Sequence, residues 1–399
     1  IIPVTRKVTG SIENYLVILD GTECKKYDYS TLSQLKTGIH KASFGVFVND
    51  RLFTNDMDEK ALFRFSGALD PSDFTSVNNS GFVLLGTNSN PITGATSIFV
   101  PADNTTSIIV AKKNETYAVT GTTTYSQYLF STEIGTTSPR GLISLGQEVL
   151  MLNNNNIWQL TSLTNNGVLK PKNIANPIQK KYISLLNQDY LQNAFMFNDK
   201  KNFKLYFMLP STLKYPSIAY GITPKLGFFR RDFEENQFTC SAIDPDTQEI
   251  YLGDIYGRIF KFNDGYTYNG NPYTAYIEYG KSNFGSGKIK SGLTQSGTLK
   301  NQVTAKVFNE IDLKVEMQKY SRTGALQNLE IKDIKLKRTN ETRYNRALYN
   351  QSTYSKYDII EKGFELGIFD YLNLTLKVQA NGTPLTIKEL TMIAEEGII

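Results

Sequence analysis

The sequence predicts an all-β protein: a β-propeller of about six blades followed by a C-terminal antiparallel β-sheet or sandwich region. Three observations lead to this fold class. Short apolar runs alternate with clusters of Asn, Asp, Gly and Ser. Residues that favour strands are abundant, with 24 Tyr and 23 Phe. Helical periodicity is confined to a weak window at 177–194.

The propeller is predicted from hairpin-like segments that recur at uneven intervals. Each reads as a strand, a tight turn and a second strand, and the segments are 14–29, 45–56, 106–121, 148–162, 193–209 and 248–262. A propeller blade takes roughly 40–45 residues and four strands, so residues 10–285 have room for about six blades. Hairpins alone also fit a β-sandwich or an extended β array.

Asn, Asp and Gly occupy the turns of these hairpins, because they tolerate the positive φ angles that tight hairpins require. We assign a structural role in blade turns to Asp20, Gly21, Asn49, Asp50, Gly253, Asp254, Gly257, Asp264 and Gly265. The stretch "LGDIYGRIFKFNDG" (252–265) also raises the question of a metal or catalytic site at its two aspartates. The preceding "DPDTQE" (244–249) lacks calcium-loop spacing, because a strand begins at Ile250, so the turn interpretation is favoured.

The domain organisation is predicted from a change of composition near residue 285. We expect an N-terminal segment (1–12), the propeller (13–285), a Gly/Ser/Lys-rich linker or loop (286–308) and a C-terminal β platform domain (309–399). The last part contains four strands with clean alternation, at 309–318, 329–338, 371–380 and 385–394.

A run of lysines without neighbouring acids marks the linker. No Asp or Glu occurs from Lys281 to Asn309, which leaves five lysines without a local counter-charge: Lys281, Lys288, Lys290, Lys300 and Lys306. A cationic loop of this kind contacts phosphates or an acidic partner surface, and a solvated linker is the equally weighted alternative.

The chain offers little of the usual chemistry of enzymes. His40 is the single histidine, which speaks against Ser-His-Asp catalysis and excludes multi-histidine metal sites. Cys24 and Cys240 are far apart and form no CxxC motif, and a disulfide between them is neither predicted nor excluded. No phosphate-binding motif occurs. We therefore expect no catalytic residue, no metal and no cofactor.

Charge and hydropathy restrict the partners and the location. The formal net charge is +5, too mild for general coating of nucleic acid. No apolar run approaches the roughly 20 residues of a membrane helix. The beginning "IIPVTRKVTG" lacks both Met and the apolar core of a signal peptide. We expect a soluble protein, made in a cytoplasm as part of a longer gene product.

Several motifs resemble, in their order, a pattern of tail nozzle proteins of short-tailed bacteriophages, also called tail tubular protein B or head-to-tail β-propeller proteins. The first is "NDRLFTND" (49–56) followed by "RFSGALDPSDFTS" (64–76). The next are "TSIIVAKKNETYAVTG" (106–121) and "EIGTTSPRGLISLGQEVLMLNNNNIWQL" (133–160), and "EIYLGDIYGRIFKFNDGYTYNGNPYTAYIEYGKSNFGS" (249–286) resembles a late blade. The chain departs from the family at "GFFRRDF" (227–233), where a Trp is usual.

The resemblance implies a structural virion component without enzymatic activity. Such proteins form a ring, commonly of six subunits, below the portal and adaptor, where it acts as nozzle, hub or plug for the DNA. The implied partners are identical subunits, the portal and adaptor complex, other tail proteins and double-stranded DNA contacted without sequence specificity. The implied location is the phage tail, assembled in the host cytoplasm. The alternatives are a carbohydrate- or receptor-binding propeller and, further removed, a glycosidase-type enzyme.

Overall fold

A computed structural model describes most of residues 1–262 and seven strand segments beyond them. The described residues are 1–8, 11–36, 38–75, 79–101, 104–154, 156–162, 169–223, 227–233, 236–262, 273–282, 302–307, 311–320, 326–336, 360–365, 371–380 and 387–393. Almost all regular structure in these ranges is strand. The all-β prediction is confirmed.

Six antiparallel sheets follow one another along residues 1–262, and the strands of each sheet pair in chain order. These sheets are the blades of a propeller, as predicted. Blades 1 to 3 contain β1 (Ile2–Val8), β2 (Ser11–Leu19), β3 (Cys24–Tyr27) and β4 (Leu32–Gln34); β5 (Gly45–Val48), β6 (Arg51–Asn55), β7 (Leu62–Phe65) and β8 (Gly81–Leu84); β9 (Ile92–Val100), β10 (Thr105–Lys112), β11 (Thr116–Gly121) and β12 (Tyr125–Ser131).

The three remaining blades continue the same pattern, and blade 6 has three strands within the described residues. They contain β13 (Leu142–Ser144), β14 (Glu148–Leu152), β15 (Ile157–Ser162) and β16 (Leu169–Asn173); β17 (Phe195–Asp199), β18 (Lys204–Leu209), β19 (Ile218–Thr223) and β20 (Gly227–Asp232); β21 (Phe238–Ile243), β22 (Ile250–Asp254) and β23 (Ile259–Lys261).

The burial of the strands explains their sequences. The second strands of blades 3 to 5 contain long buried stretches that are apolar, as in "IIVA" of β10 and "LYFML" of β18. Strand β6 of blade 2 is also buried, but it carries Arg51, Thr54 and Asn55. The outer strand β12 is largely exposed and carries Ser, Gln and Tyr. Because neighbouring blades cover both faces of a middle strand, the alternation of polar and apolar residues is lost in these buried strands.

The hydrophobic core lies between consecutive blades. One cluster joins blades 2 and 3 through Phe53, Phe63 and Val110. A second joins blades 3 and 4, and a third joins blades 4 and 5. The first strands of consecutive blades also contact one another, from β1 through β5, β9 and β13 to β17. The first strands therefore lie nearest the propeller axis.

A short helical insertion connects blades 4 and 5. It consists of a 3-10 turn (Asn176–Ile178), helix α1 (Gln179–Leu185) and a second 3-10 turn (Gln188–Asn193). The predicted helical window 177–194 covers this region. Its Leu186 and Leu191 pack into the core shared by blades 4 and 5. No helix among the described residues has both the length and the apolar character needed to cross a membrane.

The second compact unit comprises residues 263–399, whereas the first comprises 1–262. Two antiparallel sheets form the second unit, one ordered β24-β29-β26-β27 and the other β28-β25-β30. Their strands are β24 (Tyr273–Ser282), β25 (Gln302–Val307), β26 (Ile311–Tyr320), β27 (Leu326–Leu336), β28 (Ile360–Glu365), β29 (Tyr371–Ala380) and β30 (Ile387–Ile393).

This division differs from the sequence-based limits of 1–12, 13–285, 286–308 and 309–399. Strand β1, which falls in the predicted N-terminal segment, is the first strand of blade 1. Strand β24 pairs with β29 and thus lies in a sheet of the second unit, although its sequence resembled the end of a blade. Strand β25 likewise falls within the range taken as a linker. Alternating polar and apolar residues indicate a strand but not its partner, so the sequence could not assign either strand to a sheet.

Candidate functional site

The residues assigned to blade turns lie largely where turns were expected. Asn49 and Asp50 have φ angles of 51° and 57° and form the two-residue turn between β5 and β6, with Val48 paired to Arg51. Two positive φ angles in succession are typical of a type I′ hairpin. Lys7 reaches this turn from blade 1, with its Nζ 2.9 Å from a carboxylate oxygen of Asp50.

Asp20 closes the turn that follows β2. One of its carboxylate oxygens accepts hydrogen bonds from the backbone N–H groups of Thr22 (2.9 Å) and Glu23 (3.2 Å), while Gly21 adopts a φ of 87°. The Thr22 hydroxyl and the Lys25 ammonium also donate to this carboxylate, and these bonds hold its pKa well below the usual range. The carboxylate thus acts as a local backbone cap.

Asp254, at the end of β22, is occupied in the same way. Its carboxylate accepts from the backbone N–H groups of Tyr256 (2.9 Å) and Arg258 (2.8 Å), and from the Arg258 guanidinium at 2.6 Å. Burial alone would raise its pKa, but the hydrogen bonds from Arg258 outweigh burial and lower it. Gly257 completes the turn with a φ of 77°. The carboxylate of Asp254 is therefore bound by donors of its own turn.

Of the three remaining residues assigned to turns, one lies in a strand and two lie outside the described residues. Gly253 lies within β22, where a Cβ atom would stand 2.8 Å from the Sγ of Cys240. Asp264 and Gly265 lie outside the described residues. Among the described residues, no group of three or more His, Cys, Asp or Glu side chains could hold a metal ion.

The five lysines of the predicted partner-contacting segment are only partly described. Lys281 lies in β24 and Lys306 in β25, which belong to different sheets of the second unit. Lys288, Lys290 and Lys300 lie outside the described residues. A role for the segment in contacting DNA or a partner therefore stays a prediction.

The axial end of the propeller holds a residue that the sequence analysis did not single out. Arg140 lies immediately before β13, in the loop that enters blade 4 from blade 3. Its Nη1 donates to the carbonyl oxygen of Thr239 on β21, the first strand of blade 6. Its guanidinium also lies over the ring of Phe195 on β17, 5.7 Å from the centroid. One side chain thus contacts the first strands of two other blades.

The loop that carries Arg140 is fixed at several points. Gly135 lies so close to β10 that a Cβ atom would stand 2.1 Å from the carbonyl oxygen of Lys112, and only glycine fits there. The N–H of Thr136 donates to the same carbonyl at 2.9 Å. Ser138 donates its hydroxyl hydrogen to the carbonyl of Ala194, and Met196 donates its N–H to the carbonyl of Arg140 at 3.1 Å.

Arg140 lies at the surface beside Cys240. Its side chain reaches solvent, yet loss of hydration on burial lowers its pKa, and the nearby Cys240 opposes this only in part. Cys240 carries an exposed free thiol, whereas Cys24 is buried. Within the described residues, no carboxylate lies within ion-pair distance of the Arg140 guanidinium.

Two other cations, unlike Arg140, are buried, and they lie between blades 2 and 3. Arg51 is 2% exposed and donates to the carbonyl oxygens of Ser66 (2.6 Å) and Asn79 (2.9 Å). Lys112 is fully buried, donates to the carbonyl of Thr87 at 3.1 Å, and has a pKa that burial lowers. These side chains join blades to loops and are out of reach of a ligand.

A cavity of about 540 Å³ lies beside the helical insertion and blade 5. Apolar Leu185, Leu186 and Ile218 line it together with eight polar residues, namely Ser184, Asn187, Gln188, Ser211, Thr212, Ser217, Arg230 and Asp232. Arg230 and Asp232 form a two-pronged ion pair with N–O distances of 2.6 and 2.8 Å. Their charges compensate each other, which sets this cavity apart from the axial end.

The chain matches no protein-family model and no curated protein sequence. Among solved structures it is similar to the extracellular domain of the one component system BT4673 from B. thetaiotaomicron, with 11% identity and a TM-score of 0.41. That match covers 66% of this chain and 32% of the other, so it spans about a third of the domain's length.

Two other similar structures are Hsv2 from Kluyvelomyces marxianus and virginiamycin B lyase from Staphylococcus aureus. The first has 10% identity and a TM-score of 0.39, and the match covers 61% of this chain and 68% of that one. The second has 10% identity and a TM-score of 0.33, with 65% and 94% covered. The propeller assignment rests on the strand pairing of the six sheets.

Proposed function

We propose that the chain is a structural subunit of the tail of a short-tailed bacteriophage. In this proposal it forms a ring, acting as nozzle, hub or plug, below the portal and adaptor. The ring retains the genomic DNA and conducts it during ejection. The role requires no catalytic residue, because it depends on contacts between subunits and on the shape of a conduit.

The observation that carries the proposal is the ordered series of family-like motifs, whose described parts fall on successive blades. The motif at 49–56 contains the turn after β5 and strand β6, and the motif at 106–121 covers the β10–β11 hairpin. The motif at 133–160 contains the fixed loop before blade 4 and its strands β13 to β15. The order of the motifs therefore follows the order of blades along the chain.

A second supporting feature is a composition that suits a ring subunit. A closed ring needs two different surfaces on each subunit that fit one another by rotation. The chain's 24 tyrosines suit such interfaces, where Tyr is enriched. The mild net charge of +5 suits a conduit, because tight binding of phosphates would hold the DNA back.

The oligomeric mass in solution tests this proposal. Light scattering on the purified chain should give a mass near six times the chain mass of 44.9 kDa, alone or after addition of a portal–adaptor complex. A mass that stays at one chain under both conditions would speak against the ring.

The lysines of the segment 281–306 provide a second test. Replacing Lys281, Lys288, Lys290, Lys300 and Lys306 by Ser should impair ring assembly or DNA ejection, because it removes the local positive charge. The matched control replaces five exposed lysines of the propeller by Ser, which changes the net charge equally; they are Lys41, Lys60, Lys113, Lys170 and Lys200. Infectivity is the measurement, and undiminished infectivity after the first replacement would refute the role of the segment.

A further inference from the structure

The arginines of the propeller differ in how their charge is compensated. Four of them have a carboxylate partner: Arg6 with Asp70, Arg64 with Asp56, Arg230 with Asp232 and Arg258 with Asp254. Arg140 has no such partner among the described residues. A solvent-accessible guanidinium without a counter-ion, held in place by its neighbours, is a suitable partner for an anion.

The donors of Arg140 are also incompletely used. Its Nη1 donates to the Thr239 carbonyl, and one face of its guanidinium lies on the Phe195 ring. In the described part of the chain, no hydrogen bond connects Nε or Nη2 to another group. These two nitrogens form one edge of the planar guanidinium, and this edge matches two oxygens of an oxyanion.

The edge is held in position before any ligand arrives. The Arg140 carbonyl accepts a hydrogen bond from the Met196 N–H, and Ser138 ties the same loop to Ala194 on the other side of the blade boundary. A donor group fixed by its surroundings loses little conformational entropy on binding, which favours affinity. The position also suits a ligand, because the loop enters a first strand, near the propeller axis.

We propose that Arg140 forms an oxyanion-binding site at the axial end of the propeller, with phosphate as its simplest ligand. The Nε and Nη2 edge binds two oxygens of the anion, and the bond to Thr239 together with the Phe195 ring keeps the guanidinium in place. This site is independent of the proposed role in a phage tail. The bound anion provides the counter-charge that the described residues do not supply at Arg140.

The test compares two variants that lose the same charge. Arg140→Met removes the proposed site, whereas Arg230→Met removes an exposed guanidinium that is paired with Asp232. Phosphate binding to the full-length protein is measured by ³¹P NMR titration at constant ionic strength. We expect Arg140→Met to weaken binding at least about tenfold, the loss of one charge-assisted interaction, and Arg230→Met to leave it unchanged.

Two outcomes overturn the proposal: wild-type protein that does not bind phosphate, or equal weakening by both substitutions. If Arg140→Met does not fold, Arg140→Lys carries the test, because it keeps the charge and loses the two-pronged geometry; it should bind several-fold more weakly than wild type. Alkylation of the exposed Cys240 thiol localises the site. Phosphate should slow this alkylation in wild type, and an unchanged rate would contradict the location.

Discussion

The imidazole of His40 shows how burial decides the behaviour of a single residue. Its Nε2 lies 2.7 Å from the Thr54 hydroxyl, and its ring meets Phe74 edge to face. Burial lowers its pKa to about 4, and the nearby Asp56 opposes the shift without cancelling it. Sequence alone identified His40 as the single histidine, but its environment depends on long-range packing and was not predictable.

His40 makes the stability of the propeller depend on pH. Its folded-state pKa lies below the unfolded value of 6.5, so the unfolded state binds more protons as the pH falls. Stability is full above about pH 6.5 and is lost progressively towards pH 4. Between about pH 7 and pH 5 the free energy of unfolding should fall by about 2 kcal/mol through this residue.

Urea unfolding of wild type and His40→Gln at both pH values measures this contribution. The variant should show a smaller pH dependence, by about 2 kcal/mol, because Gln does not titrate and other groups are common to both proteins. An identical pH dependence of the two proteins would show that folding does not lower the pKa of His40.

At the scale of the elements, the blade boundaries concentrate buried charge as well as apolar contacts. Arg51 ties β6 to the carbonyls of Ser66 and Asn79 and lies beside the rings of Phe65 and Tyr125, the latter on the outer strand of blade 3. Its hydrogen bonds therefore lie within blade 2, and its contact with the Tyr125 ring reaches blade 3. Removal of the guanidinium leaves the buried Ser66 carbonyl without this donor.

Arg51→Met should lower the free energy of unfolding by about 2 kcal/mol, since it leaves the buried carbonyl of Ser66 without this donor. The control Arg230→Met removes an exposed pair and should cost less than about 1 kcal/mol. Chemical denaturation measures both. Similar small losses would mean that the carbonyls of Ser66 and Asn79 find other donors.

Some features of the elements were predictable from the sequence, and others were not. The turn at Asn49 and Asp50 was predictable, because a positive φ is a local demand that few residue types meet. The contacts of Arg140 were not, because they join its loop to Thr239 and Phe195 on the first strands of two other blades, which are far away in sequence. The sheet to which β24 belongs was not predictable either, since its pairing with β29 spans about a hundred residues of intervening chain.

At the scale of the whole molecule, the two compact units differ in where their strands find partners. Every strand from β1 to β23 pairs within residues 1–262, and every strand from β24 to β30 pairs within 263–399. All strand pairing described for the propeller therefore lies within residues 1–262.

Two fragments test this division. Residues 1–262 should unfold cooperatively when expressed alone, because all described strands keep their partners. Residues 1–285 carry β24 without β29 and should associate more readily, since an unpaired strand edge promotes aggregation. Size-exclusion chromatography and thermal unfolding compare the two. Greater stability and solubility of the longer fragment would assign 273–282 to the propeller instead.

The central claim is that this chain forms a ring in the tail of a short-tailed phage. Electron microscopy of the purified protein incubated with a portal–adaptor complex tests it most directly. We predict closed rings, six subunits in circumference, seated on the adaptor end of the complex. Particles that stay single and leave the adaptor unoccupied at all concentrations would contradict the account.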